Sequence, residues 1–359
     1  MRVLAALSGG VDSSVAAALL TEAGHEVVGV TLVHWAGPEG TAVVEAAAPV
    51  AARLGIEHHL LDVGPAFRRE VLEPLAAAYR RGLTPNPCVE CNRRVRFGTL
   101  FDEAGRRGCD LLATGHYARI LRDGTRFHLL RGADPGKDQS YFLFVLGQGA
   151  LARLAFPVGE MTKDEVRHRA RALGLPGAGR PESQDLCFTG RGGYRAFLRE
   201  HFPEAGRPGL IVDTAGREIG RHAGVEGFTV GQRRGLGVAA GEPRYVLAID
   251  PATATLIVGG RAELLSGGCH LGEVSWVSGQ APVGEGLAVK LRYRSPAVAA
   301  RLEQLGPGEW VVHFATPQAA VAPGQAAVLY RGDEVLGGGM ILASLGAGGE
   351  GREPGALGA

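Results

Sequence analysis

Lysine is scarce in this chain: apart from Lys137, Lys163 and Lys290, every Lys-or-Arg position is arginine. The scarcity matters first for phosphate binding. A Walker-type loop requires G-x-x-x-x-G-K-[ST], and the nearest lysine context, Gly132 to Lys137, lacks the spacing and the hydroxyl. The arginine bias also lowers the weight of any single arginine cluster as a nucleic-acid signal. Long apolar runs are missing too. None approaches the roughly 20 residues of a membrane span, so no membrane association is expected. Met1-Arg2 leads straight into a strand-like segment, which predicts no signal peptide and a cytoplasmic protein. Net charge is only +1, so any RNA site has to come from local clusters rather than a global field. The five cysteines are too few and odd in number for a disulfide scaffold. In a reducing compartment, paired cysteines point instead to metal or redox chemistry.

Against these absences one segment stands out. Residues 8–14 read Ser-Gly-Gly-Val-Asp-Ser-Ser, between an apolar strand-like run, Arg2–Leu7, and an amphipathic helix, Val11–Leu20. Glycines admit close approach of backbone to phosphate, and a helix N-terminus offers unpaired N–H groups and positive dipole. Ser8, Ser13 and Ser14 add hydroxyls. S-G-G-x-D-S resembles the loop of the PP-loop ATP pyrophosphatases, which cut ATP between the α- and β-phosphates and use AMP to activate an oxygen.

A chain of 359 residues exceeds what one hydrophobic core usually supports. The first third alternates strand and helix signals: strands over His25–Val33, Ile56–Val63 and Asp110–Thr114, and helices over Thr41–Leu54 and Pro65–Arg81. That alternation predicts a parallel, doubly wound sheet whose ligands sit beyond the strands' carboxyl ends, where Ser8, Leu32, Gly115 and His116 fall. Thr162-Lys163-Asp164-Glu165 reads as a capping box opening a helix, and the Gly/Pro-rich loop Pro176–Asp185 then delivers Cys187. From about Gly206 the pattern becomes short β-like runs broken by glycines: Gly209–Asp213, Tyr245–Asp250, Thr255–Val258, Leu287–Tyr293, Trp310–Phe314, Ala326–Tyr330 and Glu334–Leu342. The expected fold is α/β: a Rossmann-like parallel sheet carrying the PP-loop over 1–205, a small β-rich central domain over 206–265, and a C-terminal β-barrel over 266–345. A Gly-rich tail, 346–359, is expected to be disordered.

Thr84-Pro85-Asn86-Pro87-Cys88-Val89-Glu90-Cys91-Asn92 is the second informative segment. A helix is expected to start at Asn92, with Val95, Leu100, Phe101 and Ala104 as its apolar face. Cys91 would then sit at a helix N-terminus, where the dipole favours thiolate, with Arg93, Arg94 and Arg96 adding positive potential. A lone C-x-x-C serves as a zinc half-site, a redox pair or neither, and without a second pair a closed zinc site is disfavoured. Cys187 follows 96 residues after Cys91 in a polar loop. Cys109 and Cys269 read as packing residues.

These blocks together resemble the bacterial tRNA-specific 2-thiouridylases, which sulfurate the wobble uridine of certain tRNAs. The likeness runs in order through the PP-loop, Thr84–Asn92, Ala113–Arg119, Lys137–Tyr141, Ser183–Phe188, Phe228–Gly237, Leu291–Arg294 and Pro323–Gln325. It implies an ATP- and Mg²⁺-dependent tRNA sulfurtransferase. ATP would be held by Ala6, Leu7, Ser8, Gly9, Gly10, Val11, Asp12 and Ser13, by Leu32, and by Gly115. AMP would be transferred to uracil O2. Cys187 would carry a persulfide whose terminal sulfur attacks C2, and Cys91 would resolve it, releasing sulfide or closing a Cys91–Cys187 disulfide. Asn86, Pro87 and Cys88 match the segment that touches the target base. His116, Lys137, Asp138, Gln139, Arg292, Tyr293 and Gln325 match tRNA-contacting positions. Asp12 is expected to help position Mg²⁺ and pyrophosphate. The anticodon arm would lie on the barrel, the wobble base being unstacked and pocketed. A sulfur-delivery protein, a cysteine desulfurase or relay sulfurtransferase, is an implied partner.

One departure carries weight. Many family members place an aspartate three residues before the first catalytic cysteine, and this chain has Cys88 there. A carboxyl titrates near 4 and a thiol near 8.5, so a general acid–base role does not transfer. Cys88, Cys91 and Cys187 could alternatively supply three thiolates to a [4Fe–4S] cluster with one open iron. Two further alternatives stand beside these: another PP-loop ligase, which would not need Cys91 and Cys187, and a non-catalytic RNA-binding or iron–sulfur carrier.

Overall fold

The computed structural model describes residues 1–35, 38–179, 186–189, 193–203, 206–238 and 242–346. The tail expected over 346–359 lies, from 347 on, outside the described residues, as do residues 180–185 of the loop before Cys187.

The parallel sheet begins with β1 (Arg2–Ala6), β2 (Glu26–Val33), β3 (Glu57–Asp62) and β4 (Leu111–Ala113). A hairpin, β5 (Ala118–Asp123) and β6 (Arg126–Arg131), then leaves the sheet before β7 (Leu154–Ala155) rejoins it. Strand order is β3-β2-β1-β4-β7. β2 lies between two parallel partners, and six consecutive residues of it are buried. A strand covered on both faces reads as a continuous apolar run, and Val27–Leu32 does. Helix Val11–Glu22 packs Val15, Ala16, Ala17, Ala18 and Leu20 out of solvent.

The remaining strands form two further sheets. β8 (Gly209–Val212), β9 (Glu218–His222), β10 (Tyr245–Asp250) and β11 (Thr255–Gly259) make a small central sheet in the order β10-β11-β8-β9. β12 (Leu265–Trp276), β13 (Ala288–Lys290), β14 (Val298–Gly306), β15 (Glu309–Ala319), β16 (Ala326–Arg331) and β17 (Glu334–Leu345) are antiparallel, and the β12–β17 pairing closes them into a six-stranded barrel. The α/β architecture with a second β-rich unit and a barrel is as the sequence predicts.

The barrel is not insulated from the first unit. β6 pairs with β17 through Leu130 and Glu334 and through Leu129 and Val335, so the β5–β6 hairpin extends the barrel's sheet. Ala326, Val328, Tyr330 and Val335 belong to the same apolar core as Leu4, Leu112, Tyr141 and Phe144. The hairpin has no counterpart in the sequence reading. Its residues, RILRDGTRFHLL, are mostly polar by alternation, and only their pairing partners make a sheet of them.

The cysteine segment also differs from expectation. The helical run starts at Pro87, capped by Asn86 Oδ1 accepting from Val89 N (3.4 Å), and continues through a π-helical stretch, Cys91–Arg96, into helix Phe97–Arg106. Asn-Pro at N-cap and N1 is a strong start signal. Cys91 is therefore inside the helical run and not at its N-terminus.

Candidate functional site

The PP-loop is organised by its own hydroxyls. Ser13 Oγ donates to Gly10 O (3.0 Å) and accepts from Ser8 N (3.1 Å), while Ser14 Oγ donates to Gly10 O (2.9 Å). Gly9 has φ +69°, and a Cβ there would lie 2.3 Å from Ala46 Cβ on helix Pro38–Leu54. Only glycine fits that corner. Gly115, just past β4, is similarly constrained, since a Cβ would lie 2.6 Å from Ser13 N. Leu32 is the penultimate residue of β2, Ala6 is the last residue of β1, and Leu7 follows it, its N donating to Val30 O (2.7 Å).

Lys163, read in the sequence only as part of a capping box, is a candidate site residue that the sequence analysis missed. Its Nζ lies 2.7 Å and 2.9 Å from the two carboxylate oxygens of Asp12, and Tyr117 donates its hydroxyl to Asp12 Oδ1 (2.7 Å). Lys163 is the first residue of helix Lys163–Ala172, whose N-cap Thr162 and Glu165 form the expected capping box. A cation at a helix N-terminus opposes the helix dipole, so a buried lysine there calls for a compensating anion. Asp12 supplies it. The carboxylate expected to help position Mg²⁺ and pyrophosphate is thus engaged by Lys163 and Tyr117.

A cavity of about 1480 Å³ runs from this loop to the barrel. Ser8, Gly9, Gly10, Val11, Asp12 and Lys163 form one end. Asn86, Pro87, Cys88, Lys137, Asp138, Gln139, Arg292, Tyr293 and Gln325 line it further on. Of the sequence-nominated residues, Ala6, Leu7, Ser13, Leu32, Gly115, His116, Cys91 and Cys187 are not on its wall.

Several lining residues have structural partners. Gln325 Nε2 donates to Thr84 O (2.8 Å), and Thr84 N donates to Pro323 O (2.8 Å), strapping the approach to Asn86 onto the barrel. Thr84 Oγ1 also meets Thr229 Oγ1 of the central unit. Asp138 is buried and its Oδ1 accepts from Gly132 N (3.1 Å) and Ser140 N (3.0 Å), so it staples its loop before it can meet a ligand. Gln139 Oε1 accepts from Tyr117 N (3.0 Å). Tyr293 packs against Phe142 at 4.5 Å between ring centroids. Arg292 donates to Ala320 O, and burial pulls its pKa below the usual guanidinium value.

Cys88, Cys91 and Cys187 stand on one electrostatic neighbourhood. All three thiols are pushed up by desolvation, Cys88 to about 12, and the Arg96 guanidinium opposes the rise at each. The activation of Cys91 by a helix N-terminus is therefore corrected: Cys91 is buried mid-run, and burial outweighs the nearby charge. Cys187 keeps solvent contact on one side although the protein around it suffices to desolvate its thiol. All five cysteines are free, so the Cys91–Cys187 disulfide is not formed. Among the described residues no group of three His, Cys, Asp or Glu side chains converges as a metal site requires.

His116 does not face the cavity. Arg96 Nη1 donates to its Nε2 (3.3 Å), and because guanidinium only donates, Nε2 is the unprotonated nitrogen. Nδ1–H then donates to Thr114 Oγ1 (2.8 Å). Burial, followed by the Arg96 charge, lowers its pKa to about 3. His34, beside Phe67, is lowered to about 4 by the same two causes in the same order.

Comparison with known proteins agrees along the chain's length. Family models described as a tRNA methyl transferase HUP domain, a tRNA methyl transferase PRC-barrel domain and an aminomethyltransferase beta-barrel domain match residues 1–191, 195–260 and 266–341. The tRNA-specific 2-thiouridylase MnmA of Chloroflexus aurantiacus is 52% identical over 352 residues, spanning 94% of this chain and 98% of its own. That of Acidithiobacillus ferrooxidans is 48% identical over 347 residues, with 95% and 98% spanned. Among solved structures, the U34-tRNA thiolase NcsA from Methanococcus maripaludis with its [4Fe-4S] cluster aligns with 21% identity and a TM-score of 0.36, covering 57% of this chain and 67% of that one. With a phosphate-type loop, a cavity reaching from it to a closed barrel, and near full-length identity of about half to named relatives, the chain belongs to the tRNA-specific 2-thiouridylase family.

Proposed function

We propose that this protein thiolates a tRNA uridine at position C2, with ATP activating the base. One observation carries the proposal: a single cavity joins the PP-loop to the Asn86–Cys88 segment and to the barrel residues Arg292 and Tyr293. A nucleotide at one end and a base at the other would share that space. ATP would enter as its Mg²⁺ complex, the metal held chiefly by phosphate oxygens, as magnesium generally is. The amides of Gly9 and Gly10, the Ser8 hydroxyl and the helix dipole receive the phosphates. Lys163 balances charge as pyrophosphate leaves.

In the first step uracil O2 attacks the α-phosphorus, the N3 proton departs to solvent, and pyrophosphate leaves. In the second, the terminal sulfur of a Cys187 persulfide attacks C2 and AMP leaves. The Cys91 thiol then attacks Cys187 Sγ, its proton passing to the departing 2-thiouridine anion, and closes a Cys91–Cys187 disulfide that an external dithiol reduces. Sulfane sulfur arrives from a desulfurase or relay sulfurtransferase. Cys187, exposed where Cys91 is buried, suits the loading end of that sequence. The family models are described in terms of methyl transfer, but an exposed Cys187 and a buried Cys91, both under the influence of the Arg96 charge, suit sulfur chemistry.

The test is an anaerobic reaction with ATP, Mg²⁺, unmodified tRNA and a sulfane-sulfur source, followed by nucleoside mass spectrometry and assays of AMP and pyrophosphate. Wobble 2-thiouridine with matching AMP is expected. No tRNA-dependent AMP from folded protein overturns the proposal.

A further inference from the structure

Three arginines follow Cys91 within five residues, and the fold treats them differently. Arg93 Nη1 pairs with Glu273 Oε2 (2.6 Å), and Arg94 Nε pairs with Glu90 Oε2 (2.8 Å). Their charges are compensated. Arg96 has no carboxylate partner among the described residues. Its Nη1 donates to Asn92 Oδ1 (3.1 Å) and to His116 Nε2 (3.3 Å), both neutral acceptors. Each acceptor is itself fixed: Asn92 is buried and donates Nδ2 to Phe142 O (3.0 Å), and His116 is held by Thr114. Among the described residues the guanidinium is clamped by neutral acceptors and meets no carboxylate.

We propose that Arg96 is the positioning cation of the sulfur-transfer step, holding one permanent positive charge beside Cys88, Cys91 and Cys187 so that anionic sulfur is drawn there and held. The inference rests on the thiolation proposed above. Among the described residues Arg96 is the cation whose charge reaches all three thiols, and the other charges bearing on them are the thiols themselves. Its histidine neighbours, His34 and His116, are kept neutral by burial and by Arg96 itself, so they neither share nor cancel its charge. Hydrosulfide, persulfide and thiolate are all anions, and in a partly desolvated site one uncompensated charge at short range outweighs exposed, paired ones. The π-helical stretch Cys91–Arg96 supplies the geometry. Its wider turn places residues five apart over one another, bringing the Arg96 end of the run back toward Cys91.

A charge-sensitive alkylation of the full chain tests this apart from turnover. Rates of Cys187 modification by iodoacetate (anionic) and iodoacetamide (neutral) are compared by peptide mass spectrometry, with a small free thiol as reference for the reagents' intrinsic ratio. The iodoacetate-to-iodoacetamide ratio is expected to drop on the order of fivefold in Arg96→Gln, and Arg96→Lys is expected to restore most of it. Thiolation turnover should fall in Arg96→Gln and recover in Arg96→Lys, without a matching change in ATP affinity. If Arg96→Gln does not fold, the wild-type ratio must still fall toward the reference as salt is raised. A ratio equal to the reference, or unchanged in folded Arg96→Gln, overturns the inference and leaves the thiolation proposal standing. A ratio that responds as expected in a protein that makes no 2-thiouridine supports the charge assignment and overturns the thiolation proposal instead.

Discussion

Lys163 and Asp12 are 151 residues apart in the chain and 2.7 Å apart in space. The pair joins the first helix of the sheet to a helix that begins after the β5–β6 hairpin has been built. It also puts a buried ammonium where the PP-loop lacks a lysine of its own. In Lys163→Met, tRNA-dependent AMP release is expected to fall by about 10²-fold or more, the usual effect of removing one electrostatic donor from a reacting phosphate. Stability should drop by roughly 1–2 kcal/mol, because Asp12 is about a third exposed and water compensates in part. An AMP assay beside a urea titration separates the two effects, and an unchanged AMP rate would remove Lys163 from the site.

Gly115→Ala should damage nucleotide binding more than it damages the fold. The new methyl would press on Ser13 N and Asp12 C at 2.6 and 2.8 Å, displacing the first turn of helix Val11–Glu22. Overpacking of this kind costs about 1–3 kcal/mol. ATP binding by calorimetry should be lost or weakened at least tenfold while the far-UV spectrum is retained.

The Cys88 thiol, raised to about 12 by burial and by the charges of Cys187 and Cys91, is protonated at neutral pH. It therefore cannot serve as the general base that an aspartate at this position would supply. Cys88→Ser should reduce thiolation by less than about tenfold, below the 10²–10⁴ that a general acid or base contributes. Cys187→Ser should abolish it. Quantitative nucleoside analysis of both variants decides the point, and a Cys88→Ser enzyme as inactive as Cys187→Ser would restore Cys88 to the chemistry.

Acid should destabilise the protein early. His116 and His34 are held at about 3 and about 4 in the folded state, while unfolded histidines titrate near 6.5. As pH falls below about 6.5 the unfolded chain takes up protons that the folded chain refuses. Stability present above that pH is thus lost progressively down to the folded values, by at most about 1.4 kcal/mol per pH unit for each histidine. Urea midpoints at neutral pH and at about pH 5 measure the slope, and His34→Asn should shrink it.

Gln325 and Thr84 link the barrel to the segment that leads into the cavity wall. Gln325→Ala removes the amide that Thr84 O accepts and should cost about 1 kcal/mol. Its larger effect is expected in the KM for tRNA, with ATP binding unchanged, since the PP-loop lies at the far end of the cavity. Steady-state kinetics with each substrate varied in turn distinguish this from a general loss of stability.

Much of this was legible in the residues themselves. The S-G-G-x-D-S loop, the apolar β2 run, the Thr162 capping box and the shift to short glycine-broken strands after Gly206 are local signals, set by backbone sterics and by which side chains tolerate burial. They determined an α/β unit followed by β structure, and a glycine- and serine-rich loop at the end of β1. Other features depend on partners distant in sequence. Arg93, Arg94 and Arg96 look alike as letters, and only Glu273, brought in from the barrel, and Glu90 set the first two apart from Arg96, which meets no carboxylate among the described residues. The β5–β6 hairpin has polar residues that pair because β17 presents an edge to them. Cys91 appears poised as a thiolate in one dimension and is buried in three, because the helical run starts at Pro87 and turns it inward. Local propensity is written along the chain, whereas charge compensation and desolvation are properties of what the folded chain brings near, and the tertiary structure alone decides them.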